Sequence, residues 1–209
     1  MSAAPRVTNH LRPNGGASAP RLAPLEREET SGKVRELLDG VAQRGGEPGP
    51  MVRTMANARS LLQGYLELSR ATKAAKLPKQ VSERISLAVQ QELGCELCIA
   101  AHSHAARSLG LSEEEIILAR RGTAAEPALA ALLSFALSVL RAPGSIGDDD
   151  IARLRALGHG DRDIAEIVGL VALNLMTGAF NLVAGLEPAE CEPRLPAGDV
   201  RTSELVERR

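Results

Sequence analysis

Aromatic side chains are almost missing from this chain. Tyr65, Phe135 and Phe180 are all that 209 residues contain, and there is no Trp. A core must then be built from Leu, Ala, Val and Ile, and without dense β-branching that composition points to packed helices. The same scarcity removes any platform for stacking bases, and a formal net charge of −1 removes the electrostatic case for binding nucleic acid. Cysteine is scarce too. Two of the three cysteines form a single C-x-x-C, which excludes a disulfide scaffold. Met1 to Pro24 has no apolar run of the secretory kind. These absences favour a reducing, cytoplasmic setting, in which a C-x-x-C is catalytic or metal-binding rather than structural. The length suits one good-sized core better than two domains.

Residues 1–26 are rich in Pro, Ala, Asn and Gly, carry no periodicity, and read as a flexible arm. Thr30 or Ser31 can cap a first helix through Val34, Leu37, Leu38 and Val41, ended by Gly45-Gly46. The Gly-Pro-rich stretch from Gly45 to Pro50 reads as a loop. Ser60 can cap a second helix with Leu61, Leu62, Tyr65, Leu66 and Leu68 inside. Pro78 starts a third, over roughly 79–93, in which Val81, Ile85, Ala88 and Val89 recur at helical spacing. Gly94 breaks the pattern. A helix from about Cys95 to Leu109 follows, with Gly110 as its stop, and Ser112-Glu113-Glu114-Glu115 is a capping box opening the next. Pro127 to Arg141 is helical, and Ile151 to Leu157 is a short helix behind three aspartates. Leu109-Gly110 before Glu115-Ile116 echoes Leu157-Gly158 before Asp163-Ile164, at an offset of 48. The echo marks either a duplicated hairpin or two similar helix starts.

Asp161 or Arg162 opens the last helix, to about Leu186. From Ile167 to Leu186 it has no charge over twenty residues, nominally enough to span a membrane. Asn174, Thr177, Asn181 and three glycines dilute it, and no basic flanks support insertion. A helix buried on nearly all sides, or against a second subunit, fits better, so no membrane is expected. Residues 188–209 read as a flexible tail holding an incidental thiol, Cys191.

The chemistry gathers in Gly94-Cys95-Glu96-Leu97-Cys98-Ile99-Ala100-Ala101-His102. Two thiols and an imidazole at i, i+3 and i+7 fall within an arc of roughly 60° at about 100° per residue. Structural zinc wants four ligands, and no second C-x-x-C exists. His104 is rotated about 200° from His102 and cannot share its face; His10 and His159 lie in an arm and a turn. A three-ligand metal site stays open, as does inert packing. Redox chemistry asks for one thiol ionised enough to attack and a neighbour to resolve it, which a helix N-terminus and a nearby histidine favour. Glu83, twelve residues before Cys95, is on its own only a carboxylate suited to the first turns of a helix.

Glu83, then Cys95-x-x-Cys98, then His102 resembles the signature of the alkylhydroperoxidase D (AhpD-like) / carboxymuconolactone decarboxylase family, in its peroxidase-related branch. The likeness covers roughly Leu25 to Leu186 and includes Leu-Gly-Leu-Ser-Glu-Glu after the motif helix. The resemblance implies an all-α, single-domain helical bundle over 27–187 that is cofactor-free and assembles as a homo-oligomer. It implies reduction of a hydroperoxide substrate at the expense of a dithiol reductant, a lipoyl-protein or a thioredoxin-like protein. It assigns Cys98 as the peroxide-attacking cysteine, Cys95 as the disulfide partner that faces the reductant, and Glu83 and His102 as a proton relay. The position before the second cysteine, sometimes histidine in the family, is Leu97 here. Other family members decarboxylate a lactone without a cysteine pair, and a redox-sensing helical module is the non-enzymatic alternative.

Overall fold

The computed structural model describes residues 19–195. Among them are nine α-helices and no strands: α1 (Gly32–Gly45), α2 (Pro50–Met55), α3 (Arg59–Lys73), α4 (Lys79–Leu93), α5 (Glu96–Ser108), α6 (Glu113–Arg120), α7 (Pro127–Arg141), α8 (Asp148–Ala156) and α9 (Asp161–Ala184). The all-α expectation holds. Two starts differ from the sequence reading. The loop after Gly46 turns into α2, because Pro50 sits at a first helical position where its missing N–H costs nothing. Helix α3 begins at Arg59, one residue before Ser60, and has no side-chain cap.

The centre of the bundle is α4, which packs against α5, α6, α7 and α9. Arg84 to Gln90, seven residues in succession, are all buried, so no side of that stretch faces water. Ile85, Ala88 and Val89 pack with Leu132, Leu133 and Ala136 of α7 and with Ile167, Leu170 and Val171 of α9. Leu87 turns the other way, to Ala106 of α5 and Ile116 and Ala119 of α6. A third cluster joins Leu38, Met55 and Leu62 to Tyr65 and Phe180. Each large aliphatic side chain buried this way contributes about 1.5–3 kcal/mol before the entropy of ordering it is subtracted.

Helix α9 is buried on one side only. Its inward positions are Ile167, Leu170, Val171, Asn174, Gly178, Asn181 and Ala184. The outward ones, Val168, Ala172, Leu175, Ala179 and Leu182, are exposed. The expectation of burial on nearly all sides is therefore corrected. The helix lies at the edge of the bundle, on α4, α3 and α7, and length and composition alone would let it cross a membrane.

Polar groups tie α9 to α4. Gln90 Nε2 donates to Asn174 O and Oδ1 at 3.0 and 2.9 Å, and Asn174 Nδ2 donates to Ser86 Oγ at 3.1 Å. Residues 19–26 run along the bundle: Arg21 N donates to Ala184 O at 2.8 Å and Leu25 N to Arg53 O at 3.1 Å. Beyond α9, Glu192 meets Arg107 at 2.7 and 2.9 Å, and Pro193 O accepts from Arg120 at 2.9 Å. Of the flexible arm and tail expected at 1–26 and 188–209, these inner parts pack on the helices; 1–18 and 196–209 lie outside the described residues. The 48-residue echo has a local cause. Leu111 N bonds Ala106 O and His159 N bonds Leu154 O, both at 3.1 Å, while Glu115 and Asp163 each accept the backbone N–H three residues back. The shared pattern is one helix-stop and one helix-start device used twice.

Candidate active site

Gly94 ends α4 in the left-handed conformation, φ +73°, and Cys95 N closes back on Gln90 O at 3.1 Å. That tight reversal lays α5 against α4 and makes Cys95 the N-cap of α5. The Cys95 Sγ accepts the Cys98 N–H at 3.3 Å, the place an Asp or Ser oxygen takes in an ordinary cap. Cys98 is thus in the first turn, where the helix dipole favours a thiolate. The two sulfurs stand at disulfide distance, with Cα atoms 5.3 Å apart. Both cysteines are buried, Cys95 1% and Cys98 6% exposed.

His102, one turn past Cys98, bonds through Nδ1 to Glu83 Oε2 at 2.7 Å. The antiparallel α4–α5 hairpin makes this pairing across nineteen residues of sequence. Their side chains are 28% and 22% exposed, so the pair sits between buried sulfur and bulk water. A proton on Nδ1 directed at the carboxylate leaves Nε2 free to exchange protons. All four sequence-derived residues are therefore on one hairpin, with Glu83 held to His102. His104 is exposed on the other face, and among the described residues no group of three or more His, Cys, Asp or Glu side chains gathers as a metal site.

One contact was not foreseen from the sequence. Asn181 of α9, 3% exposed, directs Nδ2 at Cys98 Sγ (3.2 Å) and lies 4.0 Å from Cys95 Sγ. A signal existed: Asn174 and Asn181 are seven apart in an otherwise uncharged helix, hence on one face. Asn181 also lines a cleft of about 140 Å³ with Arg21, Leu182 and Gly185. A larger cleft, about 690 Å³, is formed by α6, α7 and α8 and includes none of these residues.

Nearby charges are held in place. Arg120, buried beside Glu96, donates to Gln91 Oε1 at 2.8 Å, and burial pulls its guanidinium below the usual range. Arg84, also buried, is bonded to Glu115 at 2.5 Å.

The helical topology and the cysteine hairpin define an all-α protein of the AhpD-like fold. Residues 59–142, which hold α3 to α7 and all four sequence-derived site residues, match the carboxymuconolactone decarboxylase family. Among similar solved structures is an alkylhydroperoxidase AhpD core, a peroxidase-related protein from Ralstonia eutropha JMP134. It is 20% identical, covers 83% of this chain and 94% of its own, and has a TM-score of 0.73. A peroxidase-related protein from Silicibacter sp. TM1040 is 21% identical over 86% and 95%, TM-score 0.67. The debrominase Bmp8 with 2,3,4-tribromopyrrole is 18% identical over 81% and 91%, TM-score 0.64. At these identities the likeness concerns the fold. No curated protein matches the chain.

Proposed function

We propose that the protein is a thiol-dependent peroxidase that reduces hydroperoxides through Cys98 and Cys95. The observation that carries this reading is the pair of sulfurs at disulfide distance, at a helix N-terminus, beside the Glu83–His102 pair. The Cys98 thiolate attacks the terminal peroxide oxygen. An S–O bond forms, the O–O bond breaks, and the alcohol leaves with a proton relayed through His102 and Glu83. The sulfur, oxidised by two electrons, is now a sulfenic acid. The Cys95 thiol then attacks it, giving the S–S bond and releasing water. A dithiol, lipoyl-protein or thioredoxin-like, returns both cysteines to thiols and is itself oxidised to a disulfide, which suits a reducing, cytoplasmic compartment.

Cys98 keeps the larger exposed area of the two, which supports it as the sulfur the peroxide meets, while Cys95 closes the disulfide that the dithiol reopens.

The partner of this enzyme is a second copy of the chain, docked on α9. Val168, Ala172, Leu175, Ala179 and Leu182 alternate in steps of four and three, the spacing of a helix–helix seam, and Val168, Leu175 and Leu182 are 45%, 44% and 41% exposed. Leu175→Glu reduces the assembly to a smaller mass in light scattering; an unchanged mass refutes this interface.

The test of the activity is hydroperoxide consumption with a dithiol reductant. Wild type turns over, and Cys98→Ser and Cys95→Ser do not. Full activity in both variants ends the thiol mechanism. A disulfide that cycles with no turnover on any dithiol transfers the case to a redox sensor.

A further inference from the structure

We propose that Asn181 is a further catalytic residue: its side-chain amide donates to the Cys98 sulfur and stabilises it as the attacking thiolate. The inference rests on the thiol reading above and adds a residue from outside the stretch that matches the family.

The packing of α9 explains how the amide reaches the sulfur. Gly178 faces Gln90 and Leu93 of α4 with no space for a Cβ, so the two helices approach closely there. Asn181, three residues on, is carried inward to 3.2 Å from Cys98 Sγ and 4.0 Å from Cys95 Sγ. An N–H directed at sulfur is worth most when the sulfur is negative and the site is dry. Cys98, 6% exposed, meets the second condition, and the first is met when the disulfide is reduced and the thiol ionises.

The other half of the amide points the same way. Asn181 Oδ1 is buried and has no hydrogen-bond partner, which is unusual for a buried polar atom. With the amide reversed, Oδ1 would face sulfurs that have no proton to give in the disulfide. A Cys98 sulfenic acid does have one, and its hydroxyl can donate to Oδ1. The amide therefore suits two states of Cys98, thiolate at Nδ2 and sulfenic acid at Oδ1.

The amide supplies a dipole from a stretch of α9 that carries no charge of its own. From Ile167 to Ala184, α9 has no ionisable side chain. The titratable and charged neighbours come from the other elements: Cys95, Glu96 and His102 on α5, Glu83 on α4, Arg120 on α6 beside Glu96, and Tyr65 on α3 in the cluster with Phe180.

The test follows the Cys98 thiol itself. In a Cys95→Ser, Cys191→Ser background, the pH dependence of alkylation by iodoacetamide reports its ionisation. Asn181→Leu, close in volume but without a donor, moves that midpoint up by about one to two pH units, the size expected for losing one hydrogen bond to a charged group. Asn181→Asp moves it at least as far. A midpoint within a few tenths of the parent in both variants overturns the proposal. Should either variant lose its helical circular dichroism, the side-chain amide resonance of Asn181 in the unsubstituted, isotope-labelled chain decides instead. It shifts in step with the Cys98 titration if the contact is made, and stays flat if it is not. Neither readout needs peroxide. Hydroperoxide turnover with an unmoved midpoint removes Asn181 alone, and a moved midpoint without turnover removes the peroxidase reading while the amide keeps its hold on the thiolate.

Discussion

Replacing Gly178 by alanine puts a methyl group where α9 has no room for one. The added Cβ would stand 2.5 Å from Gln90 Oε1 and 2.7 Å from Leu93 Cδ1, well inside van der Waals contact. Gln90 cannot swing aside freely, because its Nε2 is bonded to Asn174 at 3.0 and 2.9 Å. Overpacking of this kind costs about 1–3 kcal/mol, and a strained amide pair adds about 1 kcal/mol. Alanine's better helix propensity returns about 1 kcal/mol, leaving a net loss of about 1–3 kcal/mol. The control lies on the same helix. Gly169 has nothing within 4 Å of the corresponding Cβ, so Gly169→Ala is neutral or stabilises by up to about 1 kcal/mol. Urea unfolding of both variants at one protein concentration reads the difference, about 1–4 kcal/mol, with melting temperatures apart by about 2–4 °C for each kcal/mol. Equal stability of the two would refute the claim that α4 and α9 are in contact through Gly178. Because Asn181 lies three residues beyond, Gly178→Ala also slows thiol oxidation in the folded protein.

Two further outcomes follow from the site and its surroundings. Glu83→Gln and His102→Ala each lower hydroperoxide turnover by about 10²-fold or more, and the double variant is little worse than either alone, because the two act as one relay; losses that simply multiply would separate them. The segment after α9 is held by Arg107, whose hydrogen bonds keep the Glu192 carboxylate below its usual range. A depressed carboxylate contributes stability above its ordinary value, near pH 4, and loses it as pH falls through the lowered one. Protection of the amides in 187–195, taken relative to the intrinsic exchange rate at each pH, accordingly falls on acidification, and at neutral pH in Arg107→Ala; protection unchanged in that variant would refute the anchoring.

The helices were legible wherever a local device marked them. Pro78, Gly94, Gly110 and the Ser112–Glu115 box fixed α4, α5 and α6 to within a residue or two. Helical arithmetic placed Cys95, Cys98 and His102 on one face, and the spacing of Glu83 brought it in by resemblance. What the chain order could not reveal was which helix is central. Helix α9 is the more apolar, yet α4, with Arg84, Ser86 and Gln90 among its buried residues, is the one enclosed. Those polar groups are tolerated inside because Glu115 and Asn174 meet them from other helices. Asn181 was missed for the same reason. Its partner is a sulfur 83 residues away in sequence; the seven-residue spacing from Asn174 sets its face of α9 but not the partner that face meets.

The central claim is that Cys98 takes the peroxide oxygen, and trapping it there is the most direct test. Cys95→Ser, reduced and given one equivalent of an organic hydroperoxide, cannot close the disulfide. With dimedone present, peptide mass spectrometry finds the sulfenic-acid adduct on Cys98, and much less on the exposed Cys191. An adduct on Cys191 alone, or an unmodified Cys98 after the hydroperoxide has been consumed, would contradict the account.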